Sequence, residues 1–145
     1  MRIMGLDLGD KRIGVALSDP GAVLASPLAV IDRSSLEADL QAIMGLATEH
    51  GVESIVIGLP RSLDGSIGQQ AEKALAFSRA LAQGIKLAVT TWDERLTTVA
   101  ADRMMLEGGM KRARRKAQRD AVAAAIMLQA YLDSRRNTQA ADPAL

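Results

Sequence analysis

Three carboxylates at widely separated positions are the residues of this sequence best suited to chemistry. Asp7 lies in the first apolar segment, Glu94 follows a later one, and Asp120 follows a run of basic residues. Carboxylates that converge repel one another unless they are protonated or neutralised, and hard divalent cations with oxygen ligands neutralise them. Such a site would hold Mg²⁺ or Mn²⁺, and two such ions can support phosphodiester hydrolysis.

Composition excludes several other kinds of site. The 145 residues include no cysteine, one histidine (His50) and three aromatic residues. Thiolate metal sites, cysteine nucleophiles and multi-histidine metal sites are therefore excluded, and a series of base-stacking platforms is not expected. The N-terminus reaches Asp7 without a long apolar stretch, so we expect neither a signal peptide nor a membrane span. The lack of cysteine favours a cytoplasmic protein.

The net charge of +1 conceals an uneven distribution. Six of the 18 basic residues fall within positions 111–119, which contain no acid, and the rest of the chain has 12 basic residues against all 17 acidic ones. A concentrated positive segment favours contact with a nucleic-acid backbone, although a solvated loop is the alternative. A second candidate for phosphate contact is the turn after Asp7. The predicted nucleic-acid-binding residues are Lys11, Arg12, Lys111, Arg112, Arg114, Arg115 and Lys116.

Hydrophobic periodicity predicts the elements that must position these residues. Residues 2–9 alternate with period two, which predicts a strand with Asp7 on the face opposite the apolar run. It pairs in a hairpin with a strand at 13–17, and an outer strand interrupted by Pro27 follows. This outer strand is predicted at 22–31. Helices and strands then alternate: a helix capped by Ser34 or Ser35 and ending at Gly51, a strand at 54–58, a helix at 69–82 and a strand at 86–92. Two helices complete the chain, one from Asp93 or Glu94 to Leu106 and one at 116–132.

This order predicts an α/β fold with a mixed five-stranded sheet and helices on both faces, as in the ribonuclease H-like fold. Residues 1–134 would form one domain, with a polar, flexible tail at 135–145. Asp7 would lie on the first strand, the pair Asp93-Glu94 at the C-terminal end of the last strand, and Asp120 in the first turn of the last helix. Simpler roles compete: Asp93 suits a helix cap, and Glu94 and Asp120 suit a helix N-terminus.

Four segments together resemble one family. The segments GLDLGDKRIGVALSD, VIGLPRSLDGSIGQQA, WDERLTTVAA and RDAVAAAIMLQAYLD are similar to the signature blocks of the YqgF family, the pre-16S rRNA nucleases also described as RuvX-type Holliday junction resolvases. The similarity runs from residue 3 to about residue 133. One departure is Arg119, which stands where the family usually has valine or isoleucine before its final aspartate.

The resemblance implies a ribonuclease H-like fold related to RuvC resolvases and metal-dependent cleavage of structured nucleic acid in the bacterial cytoplasm. It assigns the catalytic and metal-binding acids to Asp7, Glu94 and Asp120. The GLPRSLDGS loop, with Arg61, Asp64, Gly65 and Ser66, would serve substrate or structure.

Several alternatives stay open at this stage. The substrate would be pre-16S rRNA, or four-way DNA for a junction resolvase. Trimming an RNA end needs one site, whereas symmetric junctions need two, so the protein could be a monomer or a homodimer. A nucleic-acid-binding module without turnover is a further alternative. The opening segment is also similar to the phosphate-binding start of actin-like ATPases and sugar kinases, but those proteins need two such domains.

Overall fold

The computed structural model describes residues 1–59, 68–93 and 112–140, and these ranges contain five strands and three helices. Each pattern-predicted element within them is present. They are β1 (Arg2–Leu8), β2 (Arg12–Ser18), β3 (Ala25–Asp32), α1 (Leu36–Glu49), β4 (Val52–Leu59), α2 (Gln69–Gly84), β5 (Ala88–Asp93) and α3 (Arg112–Ala140).

The strands form one mixed sheet in the order β3-β2-β1-β4-β5. β1 pairs antiparallel with β2 and parallel with β4, and β4 pairs parallel with β5. The predicted hairpin and outer third strand are therefore confirmed. Because β1, β4 and β5 are parallel, their carboxyl ends at Leu8, Leu59 and Asp93 lie along one edge of the sheet, which we call the carboxyl edge.

The two faces of the sheet bury different side chains. On one face, Met4 and Leu6 of β1 pack with Ile43 of α1 and Phe77 of α2. On the other face, Ile3 packs with buried residues of α3. Helices thus cover both faces, as predicted. The α3 residues expected to share one side are all buried: Ala121, Ala124, Ala125, Leu128 and Leu132.

Helix α1 ends as its sequence predicts. The Ser35 hydroxyl accepts a hydrogen bond from the backbone N–H of Ala38 at 3.1 Å, which satisfies one of the free donors of the first turn. His50 caps the other end, and Gly51 follows with φ +65°, a conformation that favours glycine.

Helix α3 differs from the prediction at both ends. It begins at Arg112 rather than at about Lys116, and it continues through Ala140 rather than ending at Leu132. The basic residues from Arg112 onward therefore lie on a helix and not in a loop. Alanine, arginine, lysine and glutamine are strong helix formers, and this propensity outweighs the repulsion between like charges. Asp120 consequently lies more than two turns into the helix and not in its first turn.

Several predicted features lie outside the described residues. They are the helix from Asp93 or Glu94 to Leu106, the GLPRSLDGS loop beyond Leu59, Glu94 and Lys111. Within the described ranges, none of the helices is long and apolar enough to span a membrane.

The turn between β2 and β3 is organised by Asp19. One carboxylate oxygen accepts the backbone N–H groups of Val23 and Leu24, both at 2.8 Å, and the other accepts that of Gly21 at 3.2 Å. The bonds from Leu24 and Val23 lower the pKa of Asp19 below its ordinary value of about 3.8. The charged carboxylate therefore stabilises the folded state.

Replacing Asp19 with asparagine should lower stability at neutral pH and reduce its loss in acid. A carboxyl group whose pKa is lower in the folded protein stabilises it above the unfolded pKa, and this contribution disappears as the pH falls through the folded value. Urea unfolding of the wild type and Asp19→Asn between pH 2.5 and pH 7 measures the difference. The exposed Glu49→Gln is the control. Equal pH dependence in wild type and Asp19→Asn would contradict this account.

Candidate active site

Asp7 lies on the face of the sheet that α3 covers. Strand β1 alternates, so Ile3, Gly5 and Asp7 share a face, and Ile3 belongs to the α3-side core. Asp7 is half-buried and is the second-last residue of β1, beside the carboxyl edge. Its side chain is therefore accessible from that edge.

Asp120 packs directly against the strand residue opposite Asp7. Gly14 of β2 is the cross-strand partner of Asp7, so both positions belong to the same face. A Cβ atom built on Gly14 would lie 1.9 Å from the carbonyl oxygen of Asp120 and 3.0 Å from the backbone nitrogen of Ala121. Only glycine allows this approach. The fold thus brings two of the three predicted acids to neighbouring positions.

Glycine also sets the direction in which α3 crosses the sheet. A Cβ atom on Gly5, two residues before Asp7, would lie 2.9 Å from Leu128 Cβ and 3.3 Å from the carbonyl oxygen of Ala124. The helix therefore passes the level of Asp7 at Asp120 and the level of Gly5 four to eight residues later. It runs antiparallel to β1, and its basic N-terminal turns extend toward and past the carboxyl edge.

The carboxylate of Asp120 is paired with a basic residue of β2. Nε of Arg12 donates to Oδ2 of Asp120 at 2.8 Å, and the side chains are 55% and 31% exposed. The hydrogen bond to Asp120, with its charge, raises the pKa of Arg12. Arg12 and Gly14 are two residues apart on one strand, so the bond and the close backbone contact lie on the same face.

The turn that carries Lys11 and Arg12 is held by Arg33. Nη1 of Arg33 donates to the carbonyl oxygen of Gly9 at 2.9 Å, and its backbone N–H donates to the carbonyl oxygen of Lys11 at 2.9 Å. The same guanidinium lies 5.5 Å from the ring centroid of Phe77 and contacts the buried carboxylate of Asp39 at 3.4 Å. Arg33 thereby connects the turn to α1 and α2.

Asp10 adds a second attachment for the same turn. Its carboxylate oxygens each accept from the side-chain amide of Gln70 at 3.3 Å, and Lys73 lies 3.8 Å away. Both partners belong to α2. The backbone beside Asp7 is therefore fastened on the side away from α3.

The third acidic position lies at the end of β5. Trp92 packs with the α3-side core and contacts Tyr131 edge-on, with ring centroids 5.7 Å apart. Alternation then assigns Asp93, the last residue of β5, to the opposite face from Asp7. Whether Asp93 caps a helix depends on residues outside the described ranges, as does the position of Glu94.

The donor chemistry at Asp7 and Asp120 fits a hard divalent cation. Carboxylate oxygens are the ligands that Mg²⁺ and Mn²⁺ prefer, and these two acids flank a glycine that keeps the space between strand and helix narrow. Within residues 1–59, 68–93 and 112–140 there is no group of three potential metal ligands. The third predicted ligand, Glu94, is not among those residues.

Sequence reasoning missed two residues that build this site, Gly14 and Arg33. The signal for Gly14 was present: Gly5 and Gly14 lie on the face of Asp7, and an alanine-rich helix follows Asp120. Arg33 had no comparable signal because its partners are in three separate elements.

The topology of the sheet and its helices defines a ribonuclease H-like fold. T. thermophilus RuvC in complex with a Holliday junction substrate superposes with a TM-score of 0.63 at 18% identity, covering 95% of this chain and 97% of that chain. The fowlpox virus Holliday junction resolvase gives a TM-score of 0.55 at 13% identity, covering 92% and 99%. At these identities the likeness establishes the fold.

The sequence defines the family within that fold. The family model RuvX, described as Holliday junction resolvase, matches residues 1–134. Proteins from Moorella thermoacetica and Desulforamulus reducens, each named "Putative pre-16S rRNA nuclease", are 53% and 48% identical. Each alignment covers 92% of this chain. The alignments cover 95% of the Moorella protein and 98% of the Desulforamulus protein. The chain belongs to the RuvX family, and the YqgF-type resemblance is confirmed.

Replacing Gly14 with alanine should destabilise the protein and separate α3 from β2. The new methyl group would overlap a backbone carbonyl, which cannot rotate away, so we expect a loss of about 1–3 kcal/mol or more. Chemical unfolding measures it. Gly45→Ala in α1 is the matched control, because no atom lies within 4 Å of its added Cβ and helix propensity should rise. Equal stability of Gly14→Ala and wild type would refute the close contact.

Replacing Arg33 with alanine should leave the buried carboxylate of Asp39 without its cation. We expect a loss of about 1–3 kcal/mol in unfolding free energy. Arg33→Lys should recover only part, because lysine keeps the charge but not the planar group that contacts Phe77 and Gly9. In the double variant Arg33→Ala/Asp39→Asn the losses should be less than additive, and full additivity would show that the pair is not coupled.

Proposed function

We propose that this protein is a divalent-metal-dependent nuclease that hydrolyses phosphodiester bonds in structured nucleic acid. The observation that carries the proposal is the contact between Asp120 and Gly14, the cross-strand partner of Asp7. This contact supports the proposal because it puts Asp120 against the strand residue opposite Asp7, a position 113 residues away in the sequence. Acids on a strand and a helix at the carboxyl edge of an α/β sheet are in the usual position for a ligand site.

Asp7, Glu94 and Asp120 are the proposed catalytic residues and metal ligands. Glu94 directly follows Asp93 at the end of β5, and the opposite-face position of Asp93 favours Glu94 as the third ligand. Bound Mg²⁺ or Mn²⁺ would activate water and stabilise the leaving oxygen of the phosphodiester. The three carboxylates would hold the positive charge of the metal ions in place. The contact at Gly14 fixes the backbone of Asp120 against the strand residue that pairs with Asp7.

The basic residues are the proposed contacts for the nucleic-acid backbone. Lys11 and Arg12 lie on the turn after Asp7, at the carboxyl edge. The helical positions Arg112, Arg114, Arg115 and Lys116 belong to the first turns of α3, and Lys111 directly precedes them in the sequence. Positions 112 and 116 are eight and four residues before Asp120, so they fall on the same row of the helix. Phosphates approaching the acids would meet this positive charge first.

We propose the 5′ end of pre-16S rRNA as the substrate, and cleavage of four-way DNA as the second candidate. The names of the curated relatives favour RNA, and the family description together with the RuvC likeness favours junctions. Processing an RNA end needs one active site, so a monomer would suffice, whereas symmetric junction cleavage would need a homodimer. The presence of all three acids favours an enzyme over a binding module. Either substrate would place the protein in the cytoplasm.

Cleavage should require both acids described in the structure. Asp7→Asn and Asp120→Asn should each reduce the cleavage rate by about 10²-fold or more, because a metal ligand supports several kcal/mol of transition-state stabilisation. The assay uses labelled RNA spanning the 5′ boundary of 16S rRNA and, separately, a four-way DNA junction, each with Mn²⁺, with Mg²⁺ and with EDTA.

Asp10→Asn is the matched control. It removes the same charge three residues from Asp7, but its carboxylate is 64% exposed and contacts α2. Its rate should stay close to that of the wild type. Cleavage that survives Asp7→Asn would refute the catalytic assignment, and the substrate that is cut decides between RNA and junction DNA.

A further inference from the structure

Arg12 connects the proposed phosphate contacts with the proposed metal ligands. It lies in the turn proposed to contact phosphate, and its guanidinium is bonded to Asp120, a proposed metal ligand, at 2.8 Å. A carboxylate oxygen that accepts this bond has a positive group where a cation would approach. The two arrangements compete, because two positive charges at one oxygen repel each other.

The mobile partner of this pair is Arg12. The backbone of Asp120 is fixed against Gly14, and a half-buried side chain of two rotatable bonds leaves the carboxylate little room to move. The Arg12 side chain is 55% exposed and has four rotatable bonds. The backbone on either side of it is held by the sheet and by Arg33. Any exchange of partners at Asp120 is therefore made by the guanidinium.

A second carboxylate lies near Arg12 on the neighbouring strand. Asp32 of β3 is its cross-strand partner. The bond to Asp120 uses Nε, and the guanidinium carries four further N–H donors in a planar fork suited to a phosphate. The same residue can thus serve a carboxylate in one state and a phosphodiester in another.

We propose that Arg12 is a positioning residue that exchanges partners: it holds Asp120 in the metal-free protein and turns to a substrate phosphate when Asp120 ligates a divalent cation. This inference rests on the proposed function. The exchange couples cation binding to substrate binding. A cation at Asp120 releases Arg12 for the phosphate, and a phosphate bound to Arg12 leaves Asp120 available to the cation, so each ligand favours the other. The free protein keeps the charge of Asp120 neutralised, and the basic contact becomes available in the state that can cleave.

The exchange predicts opposite effects of one substitution. Arg12→Ala removes the competitor for Asp120, so Mn²⁺ should bind about two- to fivefold more tightly, the range expected for an exposed ion pair. The same variant loses a phosphate contact, so an RNA hairpin should bind more weakly, with a salt slope smaller by about one. The loss of RNA affinity should be larger in Mn²⁺ than in EDTA. A residue with a purely structural role would weaken both ligands together.

The experiment measures Mn²⁺ alone by titration calorimetry and a fluorescein-labelled RNA hairpin by anisotropy at low temperature, with intact RNA verified on a gel. Lys11→Ala is the matched control, since it removes the same charge from the same turn but not the group bonded to Asp120. Lys11→Ala should change Mn²⁺ affinity less than Arg12→Ala. Thermal unfolding verifies that both variants fold.

Three results would overturn the exchange: weaker Mn²⁺ binding by Arg12→Ala, equal effects of Lys11→Ala and Arg12→Ala on Mn²⁺, or an RNA affinity loss that is the same with and without Mn²⁺. In each of these cases the wild type still binds Mn²⁺ and the proposed nuclease function stands. Failure of the proposed function would give a different result. In that case the wild type would not bind Mn²⁺, or Asp7→Asn would bind Mn²⁺ as tightly as the wild type.

Discussion

The close contact between α3 and the β1–β2 hairpin is the constraint on which the site depends. Gly14 and Gly5 lack the Cβ atoms that would otherwise overlap the backbone of Asp120 and the side chain of Leu128. Buried alanines at 121, 124 and 125 keep the facing side of the helix equally thin. Small residues bury less apolar area than leucine or isoleucine, so this contact contributes less hydrophobic stabilisation for its length. Its main effect is on position, because it brings Asp120 of the helix against the strand residue opposite Asp7.

The two faces of the sheet accordingly differ in the size of the side chains that they bury. The face under α1 and α2 buries large aliphatic side chains, among them Ile43, Ile55 and Leu81, together with Phe77. Within the described residues, this face has the larger of the two buried clusters that lie against the sheet, and burial of apolar side chains stabilises the fold. The α3 face combines large residues near the amino end of β1, such as Ile3, with glycine and alanine near the carboxyl edge. The glycines that bring α3 close to the hairpin therefore lie on the opposite face from the cluster of large aliphatic side chains under α1 and α2.

Local patterns predicted most of this fold, and nonlocal contacts account for the rest. Alternation in β1 was enough to assign Asp7 to the face opposite Met4 and Leu6, because strand geometry has a period of two residues. The start of α3 was predicted wrongly because six positive charges suggested a loop, although Arg112 and its neighbours have high helix propensity. The Arg12–Asp120 pair spans 108 residues, and no sequence period connects such positions. The sequence could therefore nominate candidate acids, but it could not predict the contacts that Asp120 makes with Gly14 and Arg12.

The turn after Asp7 combines a backbone held by several hydrogen bonds with an exposed charged side chain, that of Arg12, at its end. Arg33 holds the carbonyl oxygens of Gly9 and Lys11, and Asp10 contacts α2, so the main chain beside Asp7 is fastened at several points. Side-chain rotation of an exposed residue takes picoseconds to nanoseconds, whereas movement of a hydrogen-bonded turn is far slower. A guanidinium that changes partners on this turn need not disturb the two acids. The site can thus keep the geometry that phosphodiester hydrolysis requires while its charge pairing changes.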